Sequence, residues 1–154
     1  MKREASVVAI GGFGLVVAVL SVSCIGRNYA HRYSSATVGV LDHEYVVTKG
    51  TSIVLELFKE KGVPIPDVFW GHTLFLEIDP QRVVVGNEVT IPGEGVRTFL
   101  SVLNAPMNRV TESSVGRIRF REVSERVITA DLDIRSDELE WSYKGRVRFV
   151  TPSP

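Results

Sequence analysis

The sequence predicts an all-β fold: an antiparallel β-sandwich, or small barrel, of about 7–8 strands behind an N-terminal hydrophobic signal or anchor helix. Three observations carry this. Val (25) and Ile (9) far outnumber Ala (7). Beta-branched side chains are stiff at the first torsion and fit a pleated surface, whereas Ala is the best helix former. Short apolar runs recur between clusters of Gly, Pro, Asn and Asp, which supply the unusual backbone angles of turns. The last third of the chain alternates apolar and polar residues with period two.

The first element is apolar throughout. Met1-Lys2-Arg3 starts the chain with positive charge, and 15 of the 21 residues from Ala5 to Ile25 are Ala, Val, Ile, Leu, Phe or Cys. Leu15 to Leu20 is the densest part, followed by Ser21-Val22-Ser23-Cys24. A basic start, an apolar middle and small residues are the order of a secretory signal peptide. The single Cys stands where the apolar run ends, with Ser23 before it. In this, residues 1–24 resemble a bacterial lipoprotein signal peptide, although Ser21 stands where that family prefers Leu. The resemblance implies cleavage before Cys24, a lipid on Cys24 and export of everything after it. The residues themselves leave two other readings open. A run of this length can cross a bilayer uncleaved, with Gly11, Gly12 and Gly14 tolerated and Arg27 to Tyr33 as a basic and aromatic flank. It can also be a simple cleaved signal. All three place the remainder in the cell envelope, on the periplasmic or extracellular face, with the membrane as partner through a Cys24 lipid or through residues 5–25.

The organisation expected is residues 1–24 as signal peptide or anchor, 25–36 as a tether and 37–151 as the β-domain. Its strand candidates are 37–47, 51–58, 69–78, 82–91, 96–104, 115–122, 127–134 and 139–150. The segment 97–104 could also carry a helical turn. The register of the C-terminal hairpin follows from its alternation. Ile118 and Phe120 must share a face with Ile128, Ala130 and Leu132, so a turn at Ser124-Glu125-Arg126 sets Phe120 opposite Ala130. Arg119 then faces Asp131 and Arg117 faces Asp133. A slip of one residue would turn arginines into the core.

Composition narrows the function. Eighteen Lys and Arg balance eighteen Asp and Glu, so no nucleic-acid partner is expected, because phosphate binding needs a basic excess. One Cys excludes an internal disulfide and a Cys-rich zinc site. His31, His43 and His72 form no paired ligand motif, and no metal or cofactor is expected. Asp131 and Asp133 could in principle work as paired carboxylates, and the acidic stretch Asp133 to Glu140 could hold calcium. Arginines across the hairpin and ordinary solvation explain both more simply. A stripe of Arg117, Arg119, Arg121, Arg146 and Arg148 could touch anionic lipid or an acidic glycan. The contact loop expected is the stiffened apolar segment around Pro64, Pro66, Phe69 and Trp70. Together these indicate a membrane-tethered, non-enzymatic β-domain with a binding or structural role towards an envelope protein or glycan. The alternatives are a subunit of a larger membrane complex held by an uncleaved helix, and an exported hydrolase.

Overall fold

A computed structural model describes residues 28–42, 44–60, 70–104 and 107–153. They form ten strands: β1 (Tyr29–Leu41), β2 (Glu44–Lys49), β3 (Ser52–Glu60), β4 (Trp70–Ile78), β5 (Glu88–Ile91), β6 (Val96–Asn104), β7 (Met107–Thr111), β8 (Val115–Val123), β9 (Val127–Ser136) and β10 (Trp141–Val150). The one helical element among the described residues is a 3-10 turn at Pro80–Arg82. The segment 97–104 is wholly strand, inside β6. The expected leader helix lies outside the described residues.

The fold is all-β, as composition and periodicity require, but it is one open sheet. Its order is β5-β8-β9-β10-β1-β3-β4-β6-β7, with β2 paired to β1 alone. The path has two ends, β5 and β7. It is therefore neither a pair of separate sheets nor a closed barrel, and it has ten strands where seven or eight were expected. The difference has two sources. β7 reads Met-Asn-Arg-Val-Thr and carries almost no apolar signal. The sequence predicts two strands over 37–58 where three lie, and β1 begins eight residues before the expected start. Residues 29–36, expected within the tether, are the first half of β1, because Tyr29 and Tyr33 find a shared partner in Glu56 of β3.

Both halves of the sheet contribute to one core. Leu55, Leu57, Leu74, Leu76, Ile78 and Leu100 from β3, β4 and β6 pack with Ile118, Phe120, Ile128, Ala130, Leu132 and Phe149 from β8, β9 and β10. The sheet thus folds back on itself at the β1–β10 junction. That junction is the one parallel pairing, a single contact of His31 with Val150. Three contacts give the direction of β10. Its last residue meets the start of β1. Its Tyr143 ring lies 5.8 Å from the Lys59 ammonium at the end of β3. Its Trp141 lies 6.4 Å from His72 near the start of β4. β10 therefore runs crosswise, past the ends of β1, β3 and β4.

The β8–β9 register is the one the alternation dictates. Phe120 pairs with Ala130, Ile118 with Leu132, Arg119 with Asp131 and Arg117 with Asp133. A bulge after Phe120 then shifts the ladder, so that Glu122 pairs with Thr129. Such a bulge adds one residue to one strand and increases its twist.

A second, smaller core lies on the opposite face of β3, β4 and β6. At Ser35 (φ 52) and Gly50 the β1–β2 hairpin bends, and its outer half folds across that face. Tyr45 and Val47 then cover Val54, Phe75 and Phe99 together with Ala36 and Val38. Gly50 is required at the bend, since a Cβ there would lie 2.6 Å from Thr37 Cβ. Glu77 fastens the fold-over. Its carboxylate accepts from Thr37 Oγ1 (3.0 Å), Val38 N (3.0 Å) and Ser52 Oγ (3.3 Å), with Arg97 at 4.0 Å.

Candidate functional site

Of the residues singled out from the sequence, Cys24, Pro64, Pro66, Phe69 and His43 lie outside the described residues. Trp70 is the first residue of β4, paired with Asn104 of β6. Its neighbour Gly71 pairs with Glu60 of β3, and Asn28 accepts a hydrogen bond from the Glu60 amide (3.2 Å). Asn104 in turn pairs with Met107. The strand ends flanking the 61–69 and 105–106 connections therefore sit together, at the end of the sheet where β1 begins. Alternation along one strand carries no information about this. It arises from the antiparallel order β1-β3-β4-β6-β7.

The arginine stripe is real as a surface, and three of its five members, Arg117, Arg121 and Arg146, stand in ion pairs. The outer face of β8, β9 and β10 carries a central acidic column between two basic ones. Asp131 accepts from Arg121 Nε (2.6 Å) and Arg146 Nε (2.7 Å). Asp133 meets Lys144 (3.3 Å) and Arg117 (3.7 Å). Hydrogen bonds from Arg146 and then Arg121 pull the Asp131 carboxyl down to about 2. A carboxylate held this acidic stays ionised at neutral pH and cannot serve as a proton donor there, and with two guanidiniums on it, it is a poor nucleophile. Arg119 is the cross-strand neighbour of Asp131, yet Arg121 takes the ion pair, because the bulge after Phe120 brings it onto the same carboxylate.

The acidic stretch 133–140 does not converge. Asp133 is on β9 facing Lys144, Asp137 pairs with Arg135 (3.7 Å), and Glu138 turns to the Thr111 hydroxyl of β7. No group of three or more His, Cys, Asp or Glu able to hold a metal occurs among the described residues.

Sequence reasoning missed one cluster. On the outer face of β1 and β3, Glu56 is buried with only 8% of its surface exposed. It accepts from Tyr33 (2.7 Å) and Tyr29 (2.9 Å), with His31 Nδ1 at 3.9 Å. Tyr29 is stacked between His31 (4.5 Å) and Phe58 (5.0 Å). Burial, and then the hydrogen bond to Glu56, push both phenols above their ordinary range. Both oxygens of Glu56 are occupied and Tyr29 offers edges, not faces. The cluster therefore holds β1 to β3 and leaves no open place for a ligand. The available signal was the i, i+2, i+4 spacing of Tyr29, His31 and Tyr33, which is a strand face.

One shallow depression of about 650 Å³ is lined by Thr51, Ser52, Glu77, Asp79, Gly95 and Arg97. Its half-buried carboxylate, Glu77, is already committed to the hairpin. Two exposed aliphatic residues stand at the tip of the β1–β2 hairpin, Val40 (68%) and Leu41 (60%).

No family model matches the chain, and no curated protein or solved structure matches it either. No helix among the described residues is long and apolar enough to cross a membrane, which leaves β-barrel crossing unaddressed.

Proposed function

We propose that the protein is a small exported β-domain of sandwich-like character, tethered to a membrane by a lipid on Cys24 or by residues 5–25. Its role is binding or structural in the cell envelope, on the periplasmic or extracellular face. One observation supports this above the others. The first described strand starts at Tyr29, with Asn28 tied to the Glu60 amide, three residues beyond an apolar segment of the sequence that ends at Ile25. A leader so close to the first strand suits attachment of the body at the bilayer surface better than a long-range linker.

A second reading, a subunit of a larger membrane complex, draws on the exposed Val40–Leu41 tip and on the sheet edges at β5 and β7, which have no further strand partner among the described residues. Unpaired edges and exposed apolar tips are surfaces on which a further chain can add. The hydrolase reading gains nothing from Asp131 and Asp133, whose basic neighbours hold them as ion pairs.

Intact-mass measurement of the protein from the membrane fraction separates these readings. A chain starting at Cys24 with acyl mass supports the lipoprotein. A full-length chain from Met1 retires it in favour of the anchored complex subunit. A shorter, unacylated chain in the soluble fraction defeats both.

A further inference from the structure

We propose that the β10 side of the domain is a second membrane contact, docking onto the phosphate headgroups of the bilayer that carries the anchor. This rests on the anchored reading above. The argument begins with reach. Asn28 is fastened to the Glu60 amide, and four residue steps separate it from Cys24. Fully extended, they span about 14 Å. An anchor at Cys24 or Ile25 therefore confines the β1 end of the sheet to the headgroup zone.

The element found at that end is β10, placed there by His31–Val150, Lys59–Tyr143 and His72–Trp141. Its composition suits a phosphate surface. β10 contains Lys144, Arg146 and Arg148 and no acidic residue, and all three are exposed. Lys144 and Arg146 share the carboxylates of Asp133 and Asp131. Arg148 and Lys59 have no carboxylate within 4.0 Å among the described residues. Trp141 and Tyr143 are half-buried and pack against the main core, on the face of β10 opposite to Lys144, Arg146 and Arg148, so the basic row and not the rings makes the headgroup contact.

β10 is paired with β9 along its whole length and meets β1 at one residue. In this pose the Val40–Leu41 tip, at the other end of the 13-residue strand β1 from Tyr29, stands away from the bilayer.

The test uses the full chain in mixed phosphatidylcholine–phosphatidylglycerol vesicles carrying a headgroup nitroxide. Trp70→Phe leaves Trp141 as the one tryptophan. A companion chain with Trp70→Phe, Trp141→Phe and Val40→Trp reports the distal tip. The contact predicts strong quenching of Trp141 and little at position 40. Each of Lys59→Gln and Arg148→Gln should lower the docked-to-lifted ratio about fivefold on anionic vesicles, and high salt should act in the same direction. Arg148 is exposed without an ion pair, so Arg148→Gln leaves the fold intact. If the chain sediments with vesicles but Trp141 is quenched no more than position 40, the contact is overturned and the anchor stands. Quenching that ignores salt and both substitutions overturns the basic row as its cause. A chain that does not sediment with vesicles overturns the anchored reading, and the contact with it.

Discussion

Removing the Glu77 carboxylate should detach the folded-over hairpin while leaving the main core in place. Glu77 sits on β4 with its side chain 12% exposed. Two of its hydrogen bonds come from β1, from the Thr37 hydroxyl and the Val38 amide, and a third from Ser52 at the start of β3. A hydrogen bond to a charged group contributes roughly 1.5–3 kcal/mol. The Ser52 contact is long at 3.3 Å, and water can replace part of what is lost at a partly open site. Glu77→Ala should therefore cost about 3 kcal/mol, and Glu77→Gln, which keeps an acceptor oxygen, about half that. Urea unfolding followed by tryptophan fluorescence measures the total. Hydrogen exchange locates it: amides of residues 37–49 should exchange faster in Glu77→Ala, while those of 128–134, inside the main core, should change only by the global loss. A loss below about 0.5 kcal/mol, within the range of ordinary surface changes, would refute the clamp. So would a larger loss spread evenly over both segments, since it would mean the hairpin is held by Tyr45 and Val47 alone.

Two further predictions concern the β8–β10 layer. The Asp131 carboxyl should titrate near about 2 by NMR, and Arg146→Gln should move it up towards the ordinary range near about 3.9. A depressed folded pKa means that the carboxylate's stabilisation is fully present above the unfolded value and is lost as pH falls through about 2. Arg146→Gln narrows the gap between the folded and unfolded pKa, so the part of the acid-dependent loss of stability that comes from Asp131 should shrink in that variant relative to the parent chain. Gly116 has φ 154, and a Cβ there would collide with the Asp133 carbonyl across the ladder. Gly116→Ala should cost on the order of 2 kcal/mol, as other substitutions at strained backbone positions do. Thermal unfolding measures it, and an unchanged melting temperature would show that β8 can shift locally.

Much of the sheet could be read from local alternation. Phe120 opposite Ala130 follows from the matching apolar faces of Ile118 and Phe120 with Ile128, Ala130 and Leu132, together with a turn at Ser124-Glu125-Arg126 that chooses among the even registers. Both faces of β3 defeat the same logic. Val54-Leu55-Glu56-Leu57 is buried throughout, with a carboxylate in the middle, because the hairpin and the aromatic ladder cover the face that a one-sided sheet would leave to water. Glu56 and Glu77 look like solvent-facing strand residues in the sequence. Their partners, Tyr29 and Thr37, lie 27 and 40 residues away, a distance that no local period encodes. β7 fails for a different reason. At the end of the sheet it has one paired edge and buries little, so nothing selects an apolar pattern there.

The β1–β10 junction is where these strands acquire a functional sense. A parallel contact of one residue pair contributes little as a ladder, yet it sets the angle between the two halves of the sheet. Its support comes from side chains. Arg32 is buried and donates to the Ser124 carbonyl and to Ser34 Oγ (2.8 Å), tying β1 to the β8–β9 turn. Burial lowers the Arg32 pKa while Glu125 opposes that shift. A guanidinium is too basic to lose its proton here, so it remains a buried charge that needs its partners. Replacing it would leave the turn carbonyl without that donor and loosen the crossing angle, although no core aliphatic had changed. The basic row of β10 owes its place beside the start of β1 to that angle, not to its own strand pairing. The buried Arg32 thus helps to fix what that end of the sheet presents.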